Sequence, residues 1–85
     1  MSAKEMFERL GYECQFDEDN YINWLHTYDN YTREIAFDFN TKCIDFYCYI
    51  NKDFKHNGIM FLTTKELQAI NKQVEELGWL GSDKE

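Results

Sequence analysis

The chain contains no proline among its 85 residues. Proline locks φ and lacks a backbone N–H, so its absence suits continuous helices and strands and argues against a Pro-rich linker. Basic residues are scarce too: nine Lys and Arg stand against 16 acids, a net charge of −7. A surface that tracks a phosphate backbone needs clustered cations, so direct binding to DNA or RNA is not expected. No apolar run reaches the ~18 residues that a membrane-spanning helix needs. The opening Met1–Glu5 stretch has no apolar core of the kind a secretory leader carries, so the expected location is the cytoplasm.

Chemistry-bearing patterns are equally thin. The only serines, Ser2 and Ser82, sit near the ends, where a nucleophile would be poorly held. The cysteines are Cys14, Cys43 and Cys48, an odd number with no Cys-x-x-Cys. Cys43 and Cys48 would lie about 17 Å apart on opposite faces of one strand and so cannot pair; reduced structural thiols follow. A Cys–His catalytic pair would have to draw on His26 or His56, with no supporting motif. Those two histidines are also too isolated to open a zinc site, and Asp17-Glu18-Asp19-Asn20 lacks the calcium-loop spacing. Gly11, Gly58, Gly78 and Gly81 form no phosphate-cradling loop, and Lys55-His56-Asn57-Gly58 offers an anion only a few donors. No enzyme, metal or cofactor is expected.

Large rings are abundant. Apolar residues make up 44% and aromatic residues 18%, enough for a short chain to close one core. Residues 1–80 read as a single domain and 81–85 as a loose tail. Ser2 and Glu5 form a capping box ahead of Ala3, Met6, Phe7 and Leu10 at helical spacing, and Gly11 ends that helix. Tyr12, Cys14 and Phe16 alternate with polar residues; residues 21–28 are rich in strand formers; Asp29-Asn30 turns. Ile35, Phe37 and Phe39 alternate with Glu34, Ala36 and Asp38. After a turn at Asn40-Thr41-Lys42, Ile44, Phe46, Cys48 and Ile50 alternate with Asp45, Tyr47 and Tyr49. Beyond a polar loop at 51–58, Thr63 and Glu66 form a second capping box. There Leu67, Ile70, Val74 and Leu77 make one stripe, with Lys65, Gln68, Lys72, Gln73, Glu75 and Glu76 pointing away. The predicted fold is therefore α+β: a four-stranded antiparallel meander between an N-terminal and a C-terminal helix, both helices packed on the face of Ile35, Phe37, Phe39, Ile44, Phe46 and Ile50.

The opposite sheet face is the most informative feature. Strands three and four place Glu34, Asp38, Asp45, Tyr47 and Tyr49 there. Strand two adds either Trp24, His26 and Tyr28 or Tyr21, Asn23 and Leu25, because its pattern fits both phases. In the first phase the candidate partner-binding set is Trp24, Glu34, Asp38, Asp45, Tyr47 and Tyr49. A solvated sheet face ordinarily carries Thr, Lys and Glu, whereas this one mixes acids with rings suited to interface anchoring. Cross-strand ring packing or a homodimer contact would use the same residues. Charge is uneven along the chain as well. Residues 12–38 hold seven acids against Arg33, whereas 39–72 hold Asp45, Asp53 and Glu66 against five lysines.

The opening Ala3-Lys4-Glu5-Met6-Phe7-Glu8-Arg9-Leu10-Gly11-Tyr12-Glu13 and the close from Leu62 to Trp79 resemble the two ends of a family of small phage and prophage proteins of Gram-positive bacteria. The resemblance spans about a third of the chain, leaves the central strands unmatched and carries no catalytic or binding residues. It implies expression from a mobile element in a bacterial cytoplasm. Together with the acidity, it suggests an anti-defence protein of the anti-CRISPR kind, in which spaced carboxylates stand in for phosphates on a basic host protein. Two alternatives remain open: an oligomeric sponge that stacks a nucleotide signal on its rings and meets phosphates with Lys52, Lys55 or Lys65, and a dimerising accessory protein.

Overall fold

Ser2 begins the fold by closing a capping box. Its hydroxyl accepts from the Glu5 N–H at 3.1 Å, while the Glu5 carboxylate accepts from the Ser2 N–H at 2.9 Å. These bonds satisfy donors that a helix start leaves orphaned. Helix α1, Ala3–Arg9, follows and stops where Gly11 takes a φ of 95°. Thr63 and Glu66 repeat the device for α2, Thr64–Glu76, which ends at Gly78 with a φ of 78°. The computed structural model of the chain describes residues 1–50 and 61–80, with Ile50 described by its backbone alone. The expected loop at 51–58, the stretch Ile59–Met60, the tail 81–85 and the side chain of Ile50 lie outside the described residues.

Four strands lie between the helices: β1 Glu13–Asp17, β2 Tyr21–Thr27, β3 Tyr31–Asp38 and β4 Cys43–Ile50. They pair in chain order as one antiparallel meander, so the fold is α+β with one helix at each end of the chain. Short turns set the register. At the first, the Asp17 carboxylate accepts from the Asp19 N–H at 3.0 Å. At the last, the Asp38 carboxylate accepts from the Asn40 and Thr41 N–H groups at 2.8 and 3.2 Å, and Lys42 enters the left-handed region with a φ of 59°. Asp serves such turns because its short carboxylate reaches backbone donors two or three residues on. Phe39 lies in this turn rather than in β3, and its ring meets Phe16 edge-on.

The chain forms two compact units, Met1–Gly11 with Leu62–Glu85, and Tyr12–Phe61. In the helical unit the buried apolar residues are Ala3, Phe7, Ala69 and Ile70. The Ala3 N–H donates to the Glu76 carboxylate at 2.9 Å, tying the start of α1 to the last turn of α2. The buried side of α2 differs from the expected stripe: it comprises Glu66, Ala69, Ile70 and Gln73, while Leu67 is 46% exposed. Glu66 takes an inward position because its carboxylate is committed to the Thr63 N–H at 2.8 Å. The buried face is thereby turned by one position from the Leu67 line, and Gln73, expected outside, lies within it.

In the sheet unit the buried apolar residues are Tyr12, Trp24, Ile35 and Phe37. Trp24 faces Cys14 on one side and Ile35 on the other; Ile35 in turn faces Phe46. Directly opposed residues share a face, so this row and the row Phe16, Ile22, Phe37 and Ile44 define the apolar side. Tyr12, His26, Tyr28 and Tyr31 continue it as a file of rings with centroids 5.2, 4.3 and 4.5 Å apart.

Candidate partner-binding face

The other side of the sheet is set by the same register. One row runs Asp17, Tyr21, Asp38, Cys43; the next Gln15, Asn23, Ala36, Asp45; the third Glu13, Leu25, Glu34, Tyr47. Thr27, Thr32 and Tyr49 complete it. Among the described residues this face therefore carries five acids, Glu13, Asp17, Glu34, Asp38 and Asp45, and no Lys, Arg or His. Acids grouped on one face raise a negative potential over the surface they share.

The structure brings five of the six expected residues onto this face: Glu34, Asp38, Asp45, Tyr47 and Tyr49. Trp24 is the exception and is corrected here. It stands in register with Ile35, on the apolar side, and is 1% exposed. The reason is phase: β2 pairs Ile22 with Phe37 and Trp24 with Ile35, which sends Tyr21, Asn23 and Leu25 to the acidic side instead. Tyr21 thus replaces Trp24 as the β2 ring. Glu13, Asp17, Asn23 and Ala36 also belong to the face. Ala36 alternates with Ile35 and Phe37 in the sequence, whereas for Glu13, Asp17 and Asn23 the register of β1 and β2 fixes the side they take.

The acids differ in what they do. Glu34 is buried, 9% exposed, and structural as well as charged. Its carboxylate accepts from the Asn23 side-chain amide at 2.7 Å and from the Tyr49 hydroxyl. Since a carboxylate only accepts, the Asn23 nitrogen must point to it; the Asn23 Oδ1 is left buried with no hydrogen-bond partner among the described residues. Asp38 holds the β3–β4 turn through one oxygen, and Asp45 is exposed. Partial burial, then the charges of Asp45, Glu34 and Asp38, push the Tyr47 phenol above its usual range. Tyr47 accordingly keeps its proton at neutral pH and remains a hydrogen-bond donor. Its ring lies 6.5 Å from that of Tyr49, the two planes 26° apart.

Ala36 sits at the centre of this lattice. Asn23 and Asp45 flank it across the strands, Glu34 and Asp38 lie two residues away along β3, and Tyr21 and Tyr47 occupy opposite diagonals. A methyl group ringed by six larger side chains leaves a hollow, and a depression of ≈ 260 Å³ lies there.

Elsewhere, Cys14 and Cys43 are exposed and Cys48 half-buried, and none forms a disulfide. Among the described residues no three His, Cys, Asp or Glu side chains gather as a metal site, and no helix is long and apolar enough to cross a membrane. Lys52, Lys55 and His56 lie outside the described residues, and Lys65 stands on α2. No family model, curated protein or solved structure matches this chain.

Proposed function

We propose that the chain is a non-enzymatic binding protein that docks its acidic sheet face onto a basic protein surface, and that this surface is one made for nucleic acid. The observation that carries the reading is the clustering of five acids on one face of an antiparallel sheet, where the described residues place no base. Carboxylates fixed on strands are held at regular spacing, so they can occupy successive cation positions that otherwise meet phosphates. Tyr21, Tyr47 and Tyr49 add area with a polar tip, the usual anchor chemistry of interfaces. In biological terms this is an inhibitor of a host defence or nucleic-acid-binding protein, encoded by a phage and acting in the bacterial cytoplasm. The nucleotide-sponge alternative has less support on this face, because its acids would repel phosphates.

The test compares wild-type protein with two variants as bait in a bacterial lysate. Asp45→Lys reverses an exposed charge. Asp38→Asn/Asp45→Asn removes two charges while keeping an acceptor oxygen for the turn that Asp38 holds. The reading expects wild type to capture a basic nucleic-acid-binding protein at low ionic strength, to keep it at the physiological ~0.15 M, to lose much of it toward ~1 M salt, and to release it to a competing oligonucleotide. Both variants should capture much less. Equal capture by wild type and variants, or a complex indifferent to salt and oligonucleotide, would refute it.

A further inference from the structure

We infer that the depression over Ala36 is the seat for one arginine side chain of the partner, and that this contact is the anchor of the interface. The inference rests on the reading above and adds the recognition chemistry to it. Ala36 is the floor; Tyr21 and Tyr47 stand at opposite diagonals; Asp38, Asp45 and Glu34 supply negative charge on the remaining sides. A flat cation seated beside tyrosine rings gains from the ring quadrupole, and its N–H groups find the exposed Asp45 carboxylate at the rim. Arginine fits this better than lysine. Its guanidinium is planar, presents donors on several edges at once and is less strongly hydrated, whereas an ammonium is a compact, well-hydrated point.

The hollow also has the right scale. At ≈ 260 Å³ it is far larger than one water needs and below the range of small-molecule sites. One long side chain is of that scale. Charge alone would make any basic surface acceptable. The hollow is what allows one residue of the partner to be selected, because an interface anchor works by filling a pocket from which water is excluded.

The test uses the intact chain, labelled with nitrogen-15, and two capped tripeptides, Gly-Arg-Gly and Gly-Lys-Gly. Titration followed by amide chemical shifts is expected to move Asn23, Ala36, Asp45 and Tyr47 with the arginine peptide, at an affinity at least about threefold above that for the lysine peptide. Ala36→Leu and the smaller Ala36→Val fill the hollow and leave every acid in place; either, if folded by its amide spectrum, should abolish those shifts. Equal affinity for the two peptides, shifts centred elsewhere, or undiminished binding by a folded Ala36 variant would overturn the inference. The two levels separate in the lysate experiment. If Ala36→Leu still captures the basic protein while Asp45→Lys does not, the arginine seat is wrong and the acidic-face reading stands. If Asp45→Lys captures it equally, the reading itself has failed.

Discussion

Replacing Glu34 by alanine removes the acceptor that organises the acidic face from beneath. Two donors lose their partner, the Asn23 amide at 2.7 Å and the Tyr49 hydroxyl. Hydrogen bonds to a charged group contribute about 1.5–3 kcal/mol each, so the gross loss is about 3–6 kcal/mol. Removing a buried carboxylate returns part of this, because the charge no longer has to be kept out of water. The net cost is placed at about 2–4 kcal/mol. An 85-residue chain has a total stability of about 4–13 kcal/mol at ordinary values per residue, so the variant should lose a large share of it. Urea unfolding at pH 7, followed by far-UV circular dichroism with an unchanged slope, reads the difference directly. A cycle with Asn23→Ala sharpens the test, since the Asn23 Oδ1 has no partner among the described residues and the Nδ2 contact is what that substitution removes. The two changes should couple by about 1–2 kcal/mol. A Glu34→Ala cost below about 0.5 kcal/mol, or additivity within about 0.5 kcal/mol, would refute the view that Glu34 holds this face together.

Three further outcomes are expected. Trp24→Ala should cost about 3–5 kcal/mol in the same urea assay, because a fully buried indole on the apolar side is removed; a cost near zero would place Trp24 on the open face after all. Thr63→Ala should cost about 1 kcal/mol and reduce helical signal at 222 nm, since the Glu66 N–H loses its cap at 3.1 Å; an unchanged melting curve would contradict the capping assignment. Tyr47 governs the alkaline side. Its folded phenol holds its proton above the usual range, so above about pH 10 the unfolded chain releases that proton first and stability falls as pH rises. Titration at 295 nm should show a late step that loses one tyrosine's amplitude in Tyr47→Phe, and a late step of unchanged amplitude in that variant would argue against the assignment.

The helices were legible in the sequence because their signals are local. Ser2 with Glu5 and Thr63 with Glu66 announce both starts, and Gly11 and Gly78 mark both ends, all within one turn of chain. Strands β3 and β4 were legible for the same reason: Ile35/Phe37 and Ile44/Phe46 alternate with acids and tyrosines, so each parity has one character. Strand β2 was not, because Tyr21, Ile22, Trp24, Leu25 and His26 put rings or apolar groups at both parities. Only the long-range pairing of Ile22 with Phe37 decides between them, and that pairing turned Trp24 inward and Tyr21 outward. The shift in α2 has a different cause. A carboxylate that caps the backbone can occupy a buried position, so polarity alone put the stripe on the Leu67 line and Gln73 outside it. The depression was invisible in the sequence for a third reason: Ala36 reads as a filler residue until six larger neighbours are ranged around it by register.

Native mass spectrometry of the protein purified gently from a bacterial host at low salt tests the central claim most directly. The account predicts a mass for a complex with a basic nucleic-acid-binding protein, lost when the same preparation is made with Asp45→Lys. A defined oligomer carrying a small extra mass, or a protein complex that Asp45→Lys leaves intact, would contradict it.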